Sequence, residues 1–227
     1  MKQKVLVLTG FLLIAAATSA QPEAGTLSLT PHAGLNVSTF LGHADVRVNY
    51  LFDDGAGCAV TSKAIPKLGF SAGCELEYQL REKWAVSVGV AGNGLGSRFK
   101  GFSLEGHTLS DAYIGLSYIN VPLMAKYYAG DRVALGVGLQ PGILLCRHAG
   151  ADFSRGGGYT VSSTADDFGH FDMSVPLSVS FSTPASVFYE LRCNLGISNL
   201  IQGRWEPSAP TCFNESLCLS VGYRIKL

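Results

Sequence analysis

The chain has 227 residues, with 17 Lys and Arg balanced by 17 Asp and Glu, and it contains no basic run or basic-aromatic patch. That balance excludes a nucleic-acid-binding role, which needs a cationic surface for phosphates. The chain is 47% hydrophobic and only 15% charged, against ~25% charged in soluble domains. Beyond the N-terminus, however, no segment is continuously apolar for the ~17–25 residues of a membrane helix.

The chain opens with Lys2 and Lys4, an apolar run from Val5 to Ala17 and the small residues Thr18-Ser19-Ala20 before Gln21. These are the three zones of a cleaved secretory signal peptide, placed at residues 1–20. Residues 21–227 then form one domain.

Strict alternation follows. Leu29, Ala33, Leu35 and Val37 alternate with Thr30, His32, Gly34, Asn36 and Ser38, which predicts a first strand over about 27–40. The second, near 68–80, sets Leu68, Phe70, Ala72, Cys74, Leu76, Tyr78 and Leu80 against Gly69, Ser71, Gly73, Glu75, Glu77 and Gln79. After the Arg81-Glu82-Lys83 turn, a third runs from Trp84 to about Phe99. A Gly-containing loop precedes strand four, YINVPLMAKYY from Tyr118, which turns at Gly130-Asp131 into strand five, with Val133, Leu135, Val137, Leu139, Ile143 and Leu145 on one parity. A long loop is expected over 147–169. Strand six (Phe171–Phe181) turns at Thr183-Pro184 into strand seven (Val187–Ile197), and strand eight closes the chain from Leu217 to Lys226.

These runs exceed the usual ~5–6 residues of a globular strand and match the ~9–11 needed to cross a bilayer at a tilt. Short turns at Arg81, Gly130 and Thr183 alternate with long loops after strands one, three, five and seven. An even number of strands with short turns on one side and long loops on the other is the pattern of an outer-membrane barrel. The expected fold is therefore all-β, an eight-stranded antiparallel up-and-down transmembrane β-barrel. Both termini are expected in the periplasm.

The charges support this reading. Glu75, Glu77, Lys126, Asp172, Glu190, Arg192, Arg224 and Lys226 all lie on the parity opposite the large apolar residues. A cation on the lipid face costs roughly 2–4 kcal/mol at the midplane, so all eight are expected inside. Glu75, Glu77, Lys126, Glu190, Arg192, Arg224 and Lys226 are expected to form a polar network in a lumen too narrow for an open channel. Glu75, Glu77 and Glu190 are equal candidates to pair with Lys126. The aromatics Tyr78, Trp84, Tyr127, Phe181, Tyr189 and Tyr223 lie on the outward parity near a short turn or the C-terminus. They are expected to form a girdle at the periplasmic interface.

Six cysteines in an exported chain permit disulfides without fixing their connectivity. Cys58 and Cys212 fall in loops brought together if the first and last strands are neighbours, and a Cys58–Cys212 disulfide is expected. Catalytic chemistry has little support. His32, His43, His107, His148 and His170, with Asp45 and Ser110-Asp111, supply the residue types for lipid acyl transfer or hydrolysis, but no G-x-S-x-G elbow is present. The Gly92, Gly94 and Gly96 series lacks the helix that a nucleotide site requires. The Asp53-Asp54 and Asp166-Asp167 pairs read as solvated carboxylates. No cofactor or metal is expected.

The strand pattern, YINVPLMAKYY and the closing LSVGYRIKL together resemble the small outer-membrane β-barrel proteins of Bacteroidetes, the porin-like or PorT-like family. The resemblance implies insertion by the outer-membrane assembly machinery and contact with outer-membrane lipid and lipopolysaccharide. The expected role is that of a monomeric barrel with a structural or surface-interaction function, in which the long loops meet an envelope or extracellular protein. The alternatives are a lipid A-modifying enzyme and a component of an envelope secretion apparatus.

Overall fold

The structure, a computed structural model, describes residues 23–42, 63–100, 102–104, 107–153, 160–163, 168–200 and 211–227. The proposed signal peptide, His43, Asp45, Asp53-Asp54, Cys58 and Asp166-Asp167 lie outside the described residues.

Among the described residues twelve strands follow one another: β1 (Leu27–Gly42), β2 (Lys63–Arg81), β3 (Trp84–Lys100), β4 (Phe102–Leu104), β5 (His107–Asn120), β6 (Leu123–Tyr128), β7 (Val133–Phe153), β8 (Thr160–Ser163), β9 (Phe171–Ser182), β10 (Val187–Gly196), β11 (Cys212–Tyr223) and β12 (Ile225–Lys226). Each wall strand pairs antiparallel with its sequence neighbour, and β1 pairs with both β2 and β11, so the sheet closes into a ring of eight. In the wall, β5 and β6 count as one strand broken at Val121-Pro122, and β11 with β12 as another. Proline has no N–H to give to a ladder. The Pro122 carbonyl nevertheless accepts the Gly89 N–H at 2.9 Å, and the Val121 N–H reaches the Pro141 carbonyl at 2.8 Å, which holds the break in the wall.

Among the described residues, closure pairs each of the eight wall strands on both sides, the condition for a sheet to cross hydrocarbon. The outer face carries the apolar parity: Leu35, Val37, Leu68, Phe70, Val88, Val90, Leu135, Val137, Leu177, Leu191 and Leu219 are all exposed. From Leu68 to Leu80 this row runs roughly 40 Å along β2, or about 30 Å along the barrel axis at the usual tilt, enough to cover an apolar band of ~25 Å.

The strands reach further than expected at the long-loop end. The predicted loop before strand four is mostly β5, and the predicted loop after Arg147 is partly strand: β7 continues to Phe153 and pairs with β8. Here the wall bends. A register shift leaves Leu145 unpaired between Ser117↔Cys146 and Tyr118↔Leu144, the extra residue of a β-bulge. Gly96, at φ 133°, faces the β5 backbone so closely that a Cβ would lie 2.0 Å from the Ile114 carbonyl oxygen. At the opposite end the connections are tight. In the β9–β10 turn, the Thr183 N–H donates to the Val187 carbonyl at 2.8 Å, and the Val187 N–H donates to the Thr183 hydroxyl at 3.1 Å.

Candidate functional site

The inward parity of the lower barrel converges on three cations and three carboxylates. Lys126 on β6 projects across the lumen between two glutamates of β2, bonding Glu75 and reaching Glu77 at 2.8 Å. Arg192 on β10 reaches Glu75 at 2.8 Å and Glu190, two residues away on the same face, also at 2.8 Å. Arg224, just before β12, lies 3.5 Å from Glu77. The Tyr128 hydroxyl donates to Glu77 at 2.5 Å and accepts from Arg224 at 3.1 Å. Phe188 lies under the cluster, its ring centroid 5.6 Å from Lys126 Nζ and 5.8 Å from the Arg224 guanidinium.

The group is electrically neutral and Lys126 is only 2% exposed. An isolated buried charge would be prohibitive, so each ion is tolerable here only because it is paired and hydrogen-bonded. The candidates for Lys126 are thus resolved geometrically: Glu75 and Glu77 hold it, and Glu190 holds Arg192. Gly136 on the next strand leaves room for Ser178 and Met124: a Cβ there would sit 2.5 Å from Ser178 Oγ and 2.9 Å from Met124 Cε.

Lys226 is a correction. It is exposed, because after Tyr223 the chain retains only the short β12 pairing to Ser28 and Leu29 at the rim, where solvent reaches it. Tyr128 and Phe188 were missed. Their signal was parity, since each lies two residues from a charged member, on the same face.

Above the charge cluster lies a layer of polar groups around one further carboxylate, that of Asp172. Asp172 accepts from Ser198 at 2.7 Å and from Asn214 at 3.1 Å. Asn93 donates to Asn120 at 2.8 Å, and Asn194 to Ser216 at 3.0 Å. Among the described residues, the lumen holds small cavities of about 20 Å³ and 10 Å³. Each holds about one water and neither is a channel. Towards the long-loop end the lumen turns apolar, with Phe40, Leu95, Phe99, Ile114, Leu116 and Phe168 buried in it. Phe40 packs against Phe168 and Phe99 at centroid distances of 5.7 and 6.5 Å.

The outward aromatics cluster near the short-turn end. Trp84 and Tyr127 are register partners with rings 5.0 Å apart, and Tyr189 pairs with Phe181 on the neighbouring strand. Tyr78 lies opposite Val86, and Tyr223 opposite Val187.

The Cys58–Cys212 expectation is also corrected. Cys212 is the first residue of β11 rather than a loop residue, its side chain is fully buried, and it is a free thiol. Of the histidines with described side chains, His32 faces the lumen with Nδ1 3.3 Å from the Thr30 carbonyl. His148 lies edge-on to Tyr113 on the outer face, and His170 is exposed.

The model of the outer membrane protein beta-barrel domain family matches residues 19–202. Among solved structures, the chain is similar to Ail, the attachment invasion locus protein of Yersinia pestis, at 17% identity over 89% of this chain and 99% of that one, with a TM-score of 0.42. It is similar to Neisserial surface protein A at 14% identity, 88% and 97% coverage and a TM-score of 0.42. OprG from Pseudomonas aeruginosa shows 10% identity, 90% and 98% coverage and a TM-score of 0.43. No curated protein matches the chain.

Proposed function

The chain belongs to the outer membrane protein beta-barrel domain family, and from that premise we propose that it is a non-conducting, non-enzymatic barrel that anchors its long connecting segments at the cell surface for contact with another protein. The observation supporting this reading is that, among the described residues, the Glu75–Lys126–Glu77 and Glu75–Arg192–Glu190 bridges span the lumen below the apolar cap. In a barrel closed in this way, the segments 43–62 and 201–210 are the parts left to vary in a partner-specific way.

In this arrangement both termini and the three short turns face the periplasm, with the aromatic girdle at that interface. Residues 1–20 direct export, the assembly machinery inserts a monomeric barrel, and its outer leaflet neighbours are lipopolysaccharide. The narrower reading, a PorT-like Bacteroidetes barrel serving a secretion apparatus, rests on the Tyr118–Tyr127 pattern. The test is photo-crosslinking on intact cells of the wild-type chain and of one with 43–62 and 201–210 replaced by short turns. Adducts specific to the wild type are expected. The same adducts from both chains, or none from either, would overturn the proposal.

A further inference from the structure

The charge cluster is balanced, but Asp172 is not. Its carboxylate is 3% exposed, and its hydrogen-bond partners, Ser198 and Asn214, are both neutral. No salt bridge among the described residues reaches it. Burying an unpaired carboxylate is strongly unfavourable, so either a proton or a counter-ion must accompany it.

The cavity of about 10 Å³ beside it is lined by Asp172, Gln140, Ser174, Asn194, Asn214 and Ser216, among others. Two amide oxygens in that lining, Asn194 Oδ1 and Asn214 Oδ1, are buried and have no hydrogen-bond partner. The Asn214 amide nitrogen donates to Asp172 Oδ2, and because a carboxylate only accepts, that bond fixes the Asn214 oxygen as the end left over. The Asn194 nitrogen donates to Ser216 Oγ, and in this arrangement its oxygen too is left over. Asn214 itself is 3% exposed. An unmatched acceptor in the interior calls for a donor or a cation. The Tyr118 hydroxyl, buried without a partner of its own, stands by Asn214 and Asp172 as a donor, but a neutral hydroxyl does not balance the charge of the carboxylate that borders the same small cavity.

The residues occupy one level of the lumen. Gly142 pairs with Asn120 on one side and Asp172 on the other, Gln140 pairs with Ser174, and Asn194 with Ser216. Oxygen donors of this kind suit hard cations. A single carboxylate among neutral amide and hydroxyl oxygens balances one positive charge, and the cavity has the volume of one water.

We propose that Asp172, Asn194 and Asn214, with the hydroxyls of Ser174 and Ser216, form a site for one small monovalent cation such as Na⁺ inside the barrel. The ion neutralises Asp172 and satisfies the two orphaned amide oxygens. It ties β9, β10 and β11 together beneath the apolar cap.

The test uses the barrel, refolded in an uncharged detergent. Its thermal midpoint is compared in NaCl and in N-methyl-D-glucamine chloride at equal ionic strength, and the ²³Na resonance is recorded with wild type and with Asp172→Asn. The expected results are a higher midpoint in NaCl and a ²³Na line broadened by wild type more than by the variant. Equal midpoints in both salts, or a line that wild type leaves unbroadened, overturn the proposal and leave a water or a protonated Asp172 in the cavity. Both wild-type measurements stand even if Asp172→Asn fails to fold. Should it fold and keep the salt dependence, the site is elsewhere and the assignment is wrong.

Discussion

Replacing Lys126 with Met keeps most of the side-chain length and removes the charge that holds Glu75 and Glu77 together. Removing one partner of a buried ion pair costs about 3–5 kcal/mol, because the other is left buried and uncompensated. Here the remaining carboxylates are not wholly abandoned. Glu75 keeps Arg192 at 2.8 Å, and Glu77 keeps Arg224 at 3.5 Å and the Tyr128 hydroxyl at 2.5 Å. The lower end of the range therefore applies, about 3 kcal/mol, which lowers the folded-to-unfolded ratio roughly a hundredfold. The assay is reversible urea unfolding in phosphatidylcholine vesicles, followed by tryptophan fluorescence, to which the exposed Trp84 contributes. Adding Glu75→Gln to Lys126→Met restores a neutral cluster, so the double variant is expected to lose less than the sum of the two single variants. A Lys126→Met barrel within about 0.5 kcal/mol of wild type, with the two substitutions additive, would refute the reasoning. That magnitude is typical of a solvent-exposed pair.

Three further outcomes follow from the same geometry. Leu219 is 61% exposed on the outer face, so Leu219→Arg is expected to destabilise the barrel in vesicles by about 2–4 kcal/mol; an effect near zero would place that face in water. Gly136→Val puts a branched side chain against Ser178 and Met124, and is expected to cost about 1–3 kcal/mol by overpacking in the same unfolding assay. N-ethylmaleimide, in detergent and followed by mass spectrometry, is expected to modify the exposed Cys146 first and to leave the buried Cys212 untouched until the chain unfolds. If Cys212 in the unfolded chain reacts only after a reductant is added, it is disulfide-bonded.

Much of the wall was legible because lipid imposes a strict rule. In β2, Leu76 and Tyr78 can face only outward and Glu75 and Glu77 only inward, and period-two alternation reads that directly. The rule lapses where the wall leaves the apolar band. Ile114 and Leu116 share the parity of Lys126 yet are apolar, because they fill the cap rather than face lipid. The sequence around them consequently reads as loop. Partner choice was legible only to the level of face. Lys126 could be placed inside, but selecting Glu75 and Glu77 over Glu190 depends on the register of strands that are not neighbours across the ring. Lys226 obeys the parity and still lies in solvent, since periodicity does not mark where the wall stops. The level around Asp172 was hidden for a related reason: Asn194 and Asn214 are ordinary inward polar residues until the ring closes and brings them to one cavity.

Single-channel recording of the purified barrel in a planar lipid bilayer tests most directly whether the ion-pair cluster and the apolar cap together shut the lumen. No steady conductance is expected from the wild-type chain across the voltage range in which the bilayer is stable. Reproducible, long-lived open steps from the folded wild-type barrel would contradict it.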